Sequence, residues 1–168
     1  SYKFLHPQNA MKTYPYHSHR KVRTLEVDKD GNIWAGTTDG ILIMSLKDNN
    51  FTITPLTSSK EDPEHILMSN DIVCIKRDRM GEMWVGTNSG GLAHSIGKDT
   101  KGNWLFENFG AQEGLPSEEI FSITFDSHGN VWFATDHVIC SYNTGKGIFT
   151  TFSNLDGVDD TMCSENDD

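Results

Sequence analysis

The acidic stretch that begins at Asp28 is the first segment whose composition suits chemistry. Its sequence, DKDGNIWAGT, looks like the start of a calcium loop. A loop of the EF-hand type needs glycine at its sixth position and a bidentate glutamate at its twelfth, but these positions hold Ile33 and Asp39. We therefore expect Asp28 to hold a tight turn through hydrogen bonds to nearby backbone, and not to bind calcium.

Metal ligation is not expected elsewhere in the sequence. His17 and His19 would project to the same side of an extended segment, but no carboxylate or cysteine lies at a supporting spacing. The three cysteines, at positions 74, 140 and 163, also lack the spacing of a metal site or a disulfide framework. The sequence therefore predicts no metal and no cofactor.

Hydrolytic chemistry has weak support in the sequence. Ser95, in AHSIG, lacks the first glycine of a nucleophile elbow and lies in a segment that reads as a strand. The neighbouring carboxylates Glu118 and Glu119 would point to opposite sides of a strand, so their adjacency does not favour a catalytic pair. The sequence predicts that this segment is not an enzyme.

One motif occurs three times along the chain. Its copies are VRTLEVDKDGNIWAGTTDG, VCIKRDRMGEMWVGTNSGG and FSITFDSHGNVWFATDH. Each copy has an aspartate three residues before a glycine and a tryptophan three residues after it. In two copies a further glycine follows the tryptophan by two positions, and Ala134 takes that position in the third. These repeat residues are Asp28, Gly31, Trp34, Gly36, Asp78, Gly81, Trp84, Gly86, Asp126, Gly129 and Trp132.

Each repeat reads as four short β-strands. Apolar and β-branched runs alternate with turn sequences such as DKDG and TTDG, and helical periodicity is weak throughout. Four strands in a unit of about 50 residues is the pattern of a β-propeller blade. The tryptophans are then expected to pack between adjacent sheets, while the small residues that follow them allow close approach.

The motif L-P-S-x-x-I-x-x-I-x-x-D-x-x-G-N-x-W, which spans Leu115 to Trp132, resembles the two-component regulator propeller repeat. The resemblance implies an extracytoplasmic, periplasmic sensor segment of a hybrid two-component regulator of the Bacteroides type. It further implies that a glycan shifts a receptor dimer between two arrangements. A membrane helix outside this segment would carry the change to a histidine kinase.

The sequence predicts an all-β arc of about three blades. The expected blades cover residues 22–56, 71–109 and 119–153, joined by loops at 57–70 and 110–118. Residues 1–21 are expected to contain the last strand of a preceding blade, and residues 154–168 an acidic tail or the start of a further blade. Trp104, in KGNWLFENF, is expected in a fourth strand and outside the motif, because the strand and aspartate of the motif are not expected before it.

Ligand contacts are predicted on the face where two sets of loops meet. These are the loops that lead into each first strand and the turns between second and third strands, whose residues differ between the repeats. The candidates are Tyr14, Tyr16, His19, Arg20, Asp39, Asn70, Asn88, Ser89, Glu118, Asp136 and His137. Hydroxyls, amides, carboxylates and aromatic rings suit an oligosaccharide.

Charge and hydropathy limit the classes of partner. The formal net charge of −10 argues against nucleic acid, which favours a basic protein surface. Few basic residues cluster, which favours a neutral over a sulfated glycan. No apolar run is long enough to span a bilayer.

An arc of three blades would leave two apolar blade faces uncovered. The segment is therefore expected to form homo-oligomers or to belong to a longer propeller receptor that dimerises. Two other functions stay open at this point. One is a scaffold for protein partners, which would show an apolar patch on the loop face. The other is a propeller lyase or glycosidase, which would show converging carboxylates or histidines.

Overall fold

The computed structural model describes residues 21–47, 50–58 and 66–153. Within these ranges the chain forms three four-stranded antiparallel sheets, each ordered as in the sequence. The first sheet contains β1 Val22–Val27, β2 Ile33–Thr37, β3 Gly40–Lys47 and β4 Asn50–Leu56. The second contains β5 Ile72–Arg77, β6 Met83–Thr87, β7 Leu92–Lys98 and β8 Trp104–Phe109. The third contains β9 Ser122–Phe125, β10 Val131–Ala134, β11 Ile139–Asn143 and β12 Ile148–Phe152.

These sheets confirm the predicted all-β propeller architecture, and we call them blades one, two and three. The described residues include only a single short helical turn, Ala111–Glu113, between blades two and three. Within the described ranges no helix has the length and apolar character needed to cross a membrane.

Blades one and two share an apolar core. Trp34 and Ile41 of blade one are fully buried with Ile75 and Val85 of blade two. In blade two these residues lie on neighbouring strands, since Ile75 pairs directly with Val85. The tryptophan-bearing face of one blade therefore packs against the opposite face of the next blade, as expected for sheets that are apolar on both sides.

The same arrangement joins blades two and three. Trp84 and Leu92 contribute to a core that also contains Ile123, Phe133 and Cys140 of blade three. Ile123 pairs with Phe133 in the register that Ile75 and Val85 occupy in blade two. At both contacts the earlier blade thus supplies its tryptophan face, and the later blade supplies a face of β-branched or aromatic residues.

Gly36 and Gly86 permit this close packing of the blades. A Cβ atom built at Gly36 would lie 2.7 Å from Cγ2 of Ile72, the first residue of the next blade. At Gly86 it would lie 2.7 Å from Cγ2 of Ile120 and 2.6 Å from Sγ of Cys74. These distances are shorter than van der Waals separation, so the glycine two positions after Trp34 and after Trp84 is needed for the packing.

The two terminal blades expose apolar residues that are buried in the middle of the arc. Leu25 is 63% exposed, whereas Ile75 at the equivalent position of blade two is fully buried. At the other end Trp132 is partly exposed, while Trp34 and Trp84 are buried. Trp132 stacks on Phe152, with 5.3 Å between ring centroids, on a face that no described residue of another blade covers.

Trp104 corrects one expectation from the sequence. It lies in the fourth strand of blade two, as expected, but a strand and an aspartate do precede it, because β7 ends at Lys98 and Asp99 follows. Asp99 holds the turn through its Oδ1 atom, which accepts hydrogen bonds from Lys101 N and Asn103 N at 2.8 Å. Trp104 follows the aspartate by five residues instead of six, and its ring packs edge-on against Trp34 at 4.9 Å.

Several predictions for the ends and connections lie outside the described residues. They concern a preceding strand before residue 21, the acidic tail from residue 154, and residues 59–65 of the first connecting loop.

Candidate ligand-binding face

Both predicted sets of loops meet at one end of the blades. The amide of Asn88, in the turn after β6, donates a hydrogen bond to Asp71 O at 2.9 Å, just before β5. Between blades, Gly40 N donates to Asn70 O at 2.6 Å, and Gly91 N donates to Glu118 O at 2.9 Å. Each loop that leads into a blade is therefore tied to the β2–β3 type of turn in the preceding blade.

A threonine shapes each of these turns. The Thr37 hydroxyl donates to Gly40 O at 2.8 Å and accepts a hydrogen bond from Asp39 N at 3.0 Å. The Thr87 and Thr135 hydroxyls make the same kind of bond to the carbonyl on the far side of their turns. All three threonines are buried. The turn backbone is thus held from inside, which leaves the outward side chains free to vary between the repeats.

The repeat aspartates organise the opposite end of the blades. Oδ1 of Asp28 accepts hydrogen bonds from Asp30 N at 2.9 Å and Asn32 N at 2.8 Å. Its Oδ2 accepts a hydrogen bond from Trp34 Nε1 at 3.1 Å, so the buried indole N–H is satisfied. Burial opposes ionisation of Asp28, but the hydrogen bonds from Asn32 and Trp34 outweigh it and lower its pKa.

The same geometry recurs in the other two repeats. Asp78 and Asp126 accept hydrogen bonds from the indole N–H groups of Trp84 and Trp132, each at 3.1 Å. Hydrogen bonds from Asn130 and then Trp132 lower the pKa of Asp126. The repeat aspartate therefore links its turn to the tryptophan of the same repeat, through the hydrogen bonds that its carboxylate accepts.

A groove of about 390 Å³ lies on the loop face between the two connecting loops. This volume falls within the range typical of small-molecule sites. One wall comes from the loop before blade two and the other from the loop before blade three, and Asn108 at the end of β8 lies between them. The groove is lined by Met68, Asn108, Gly110, Ala111, Gln112, Glu113 and Glu118.

The groove presents hydrogen-bond acceptors and negative charge. Asn108 Nδ2 donates to Ile66 O at 2.7 Å, which orients the amide, while its buried Oδ1 atom accepts no hydrogen bond from the described residues. Glu113 Oε2 accepts a hydrogen bond from Gly110 N at 2.8 Å. Glu118 is exposed and adds a second carboxylate, and the described lining residues include no lysine or arginine. A ligand rich in O–H or N–H donors would match these groups.

Glu118 is the predicted site residue that lies in this groove. Asn70 follows the lining residue Met68 by two positions. Its side chain is bonded within the scaffold, since its Oδ1 accepts a hydrogen bond from Ser58 N at 2.6 Å. Asn88 and Ser89 are exposed in the turn after β6, where Ser89 Oγ lies 3.2 Å from Ser69 Oγ. Their part in ligand binding stays a prediction.

The remaining predicted residues are in two places. Asp39 is half-buried in the turn between β2 and β3. Asp136 Oδ2 lies 2.7 Å from Nε2 of the exposed His137, in the turn of blade three. Tyr14, Tyr16, His19 and Arg20 lie outside the described residues. None of the described residues that line the groove is aromatic, so its described walls offer no ring on which a sugar could stack.

Sequence reasoning missed Asn108, Gln112 and Glu113 as lining residues. Asn108 lies in a variable fourth strand, and the other two lie in the helical turn that follows it. The glycines at 110 and 114 indicated a compact loop at this point. Nothing in the sequence placed that loop opposite Met68, which is 40 or more residues away along the chain.

Comparison with known families accounts for this repeated architecture. The family described as "Two component regulator propeller" matches residues 17–39, 66–89 and 114–137. The chain carries three two-component regulator propeller repeats. The second and third matches cover a loop leading into a blade, the first two strands and the turn after them, so they include both loop sets of the candidate face.

Known relatives agree with these repeats. The chain is 25% identical over 142 residues to "Histidine kinase P4" of Formosa agariphila, covering 84% of the chain and 10% of that protein. It is 28% identical to the extracellular domain of BT3049, described as a hybrid two component system of B. thetaiotaomicron, with a TM-score of 0.66. That match covers 82% of the chain and 17% of the solved structure.

A more distant structure shares the fold alone. Virginiamycin B lyase of Staphylococcus aureus has a TM-score of 0.54 at 17% identity, over 82% of the chain and 42% of the lyase. The chain therefore spans a small part of the relatives it matches. Its three repeats match the two-component regulator propeller model.

Proposed function

We propose that this chain is a non-catalytic ligand-sensing segment from the periplasmic part of a hybrid two-component receptor. The observation that carries the proposal is a groove between loops that differ from repeat to repeat, at one end of a scaffold that the repeats hold constant. The likeness to an extracellular domain described as part of a hybrid two component system supports the same role. Sensing also requires that the ligand bind one receptor arrangement more tightly than another.

The groove chemistry favours a neutral oligosaccharide as the ligand. Sugar hydroxyls can donate to the carboxylates of Glu113 and Glu118, which are acceptors when ionised. A sulfated or uronic-acid glycan would bring like charges against two carboxylates, and none of the described lining residues is basic. Met68, which is 56% exposed, offers apolar surface to a sugar ring.

Glu118→Ala is expected to weaken oligosaccharide binding by about tenfold or more. A hydrogen bond to a charged acceptor contributes about 1.5 to 3 kcal/mol, and 1.4 kcal/mol corresponds to a tenfold change in Kd. A thermal-shift screen of neutral, sulfated and uronic-acid oligosaccharides would identify the ligand class, and isothermal titration calorimetry would then give Kd for the variant.

Glu119→Ala is the matched control, because Glu119 is the exposed neighbour that does not line the groove. It should leave Kd unchanged. The proposed ligand class would be wrong if sulfated or uronic-acid glycans bound more tightly than neutral ones. The proposed site would be wrong if both variants bound a neutral oligosaccharide as well as the original chain.

We also propose that further blades of this type cover the two open faces, either in a longer receptor or in a second copy of the chain. Trp132 and Ala134 occupy the positions that Trp84 and Gly86 occupy against blade three. Leu25 and Ile33 of blade one occupy the positions that Ile75 and Met83 occupy in blade two, where both are buried against blade one. The two exposed faces are thus of the same types as the faces that pack together inside the arc.

The isolated chain is therefore expected to self-associate as its concentration rises, because burial of these faces removes apolar surface from water. Size-exclusion chromatography with light scattering would measure the mass across a dilution series. Leu25→Glu should shift the equilibrium toward monomer, whereas Met80→Glu, at an exposed turn, should not. A chain that stays monomeric over the whole series would contradict the expectation.

A further inference from the structure

Blade two departs from the repeat at two positions that contact each other. Where the other copies have Asn32 and Asn130, blade two has Glu82. Across the sheet, the residue paired with the core tryptophan is Ile43 in blade one and Ser141 in blade three, but His94 in blade two. The two unusual side chains meet, with His94 Nε2 2.8 Å from Glu82 Oε2.

The first departure changes the hydrogen bonding of the repeat aspartate. In blades one and three an asparagine Nδ2 donates to the aspartate Oδ2, at 2.8 Å to Asp28 and 2.7 Å to Asp126. A glutamate carboxylate cannot donate this bond when it is ionised. The Oδ2 atom of Asp78 therefore keeps the bond from Trp84 Nε1 but lacks the second donor that its equivalents have. A carboxylate side chain takes the place of that amide donor, so two carboxylates lie side by side at this position in blade two.

The second departure holds an imidazole beside these carboxylates. The His94 ring stacks on Trp84 with centroids 4.0 Å apart and planes 13° from parallel. Its side chain is only 15% exposed, and its Nδ1 atom lies 3.8 Å from Glu107 Oε2. The ring is thus packed against Trp84, with Nε2 directed at Glu82 and Nδ1 on the side of a second carboxylate, that of Glu107.

We propose that Asp78, Glu82 and His94 form a binding site for a divalent transition-metal ion such as Zn²⁺. One ligand atom from each residue lies within 4.8 Å of the other two. Bonds of about 2.0 to 2.2 Å from zinc to imidazole nitrogen and carboxylate oxygen require side-chain rotations that bring these ligand atoms closer together. Glu82 is half exposed and can make them. One nitrogen and two carboxylate oxygens suit Zn²⁺ or Mn²⁺ better than the softer ions that prefer thiolates.

The site opens into a cleft of about 350 Å³ between blades two and three. Ser127 and His128, in the turn of blade three, lie on its far side. Three protein ligands leave a coordination position for water or another ligand, and the cleft gives it access. The site lies at the end of the blades that carries the aspartate turns, opposite the loop-face groove, so it is independent of the proposed oligosaccharide site.

The test is a Zn²⁺ titration of the chain after dialysis against a chelator, followed by calorimetry and thermal unfolding. Glu82→Asn and His94→Ile both install the residue that blade one has at the same position, so the fold should be retained. Each variant is expected to lose one equivalent of bound Zn²⁺, or to bind it about 100-fold more weakly, and to lose the rise in Tm that Zn²⁺ produces. Removal of a residue that hydrogen-bonds to a metal ligand typically reduces metal affinity by about 10- to 100-fold. Removal of a ligand itself should reduce the affinity at least as much.

His137→Asn is the control, because His137 is an exposed histidine that also contacts an acidic side chain, Asp136. It should leave the stoichiometry and affinity for Zn²⁺ unchanged. The proposal would be overturned if Glu82→Asn and His94→Ile bound Zn²⁺ with the same stoichiometry and affinity as the original chain. It would also be overturned if the original chain bound no Zn²⁺, since the histidine and glutamate would then serve each other as an ion pair.

Discussion

Trp84→Ala is expected to lower the free energy of unfolding by about 3 to 5 kcal/mol, the usual cost of truncating a buried aromatic side chain. Trp84 is 1% exposed in the core between blades two and three. Its ring lies parallel to that of Phe109 at 6.1 Å and near Tyr142 at 6.2 Å. Alanine would leave a cavity there, and Asp78 would lose the hydrogen bond from the indole. Urea denaturation followed by circular dichroism would measure the change.

Trp132→Ala is the matched control for this experiment. Trp132 has the same repeat position and the same hydrogen bond, to Asp126 at 3.1 Å, but it lies partly exposed on the open face of blade three. Its removal should therefore cost clearly less than the removal of Trp84. Equal losses for the two variants would mean that the hydrogen bond, and not packing between blades, determines the contribution of the repeat tryptophan.

Gly86→Val is expected to destabilise the chain by about 1 to 3 kcal/mol or more, the usual range for overpacking a core. The first added carbon would lie 2.6 Å from Cys74 Sγ and 2.7 Å from Ile120 Cγ2. Both neighbours are buried, at 8% and 0% exposure, so they have little room to move. The strain should separate blade three from blade two, and a lower midpoint in thermal and urea unfolding would show it.

Ala134→Val tests whether the effect depends on the neighbouring blade. Ala134 has the same place in the third repeat, but it lines an exposed apolar groove with Trp132 and Ile139. The larger side chain should change the stability of the isolated chain by much less than Gly86→Val. If both substitutions were equally harmful, strain within the single sheet would explain the result better than a clash between blades.

Much of the fold was predictable because its determinants are local and occur three times. The spacing from aspartate to glycine to tryptophan specifies a turn followed by a short strand, and such turns depend on residues within a few positions of each other. Repetition then indicated a blade architecture without any knowledge of distant contacts. The loop face was predicted in the same way, from residues that differ between copies, and Glu118 in the groove is one of them.

Trp104 shows where local reasoning failed. Its turn has the same aspartate and glycine spacing as the repeat motif, but the tryptophan comes one residue earlier. Because strand residues alternate between faces, this shift changes which side of the sheet the ring occupies. The sequence alone did not show that β7 and Asp99 form a hairpin with β8, since that depends on the pairing register.

The sequence by itself determined the repeat, the all-β class, the three sheets and the turns that join their strands. Only the tertiary structure decided that Asn108, Glu113 and Glu118 meet in a groove, and that His94 lies against Glu82 and Asp78. The physical reason is that turns and strands depend on near neighbours, whereas these clusters depend on strand register and on how successive blades pack. Residues separated by 12 or more positions come together through those contacts, and their spacing in the sequence carries no signal of it.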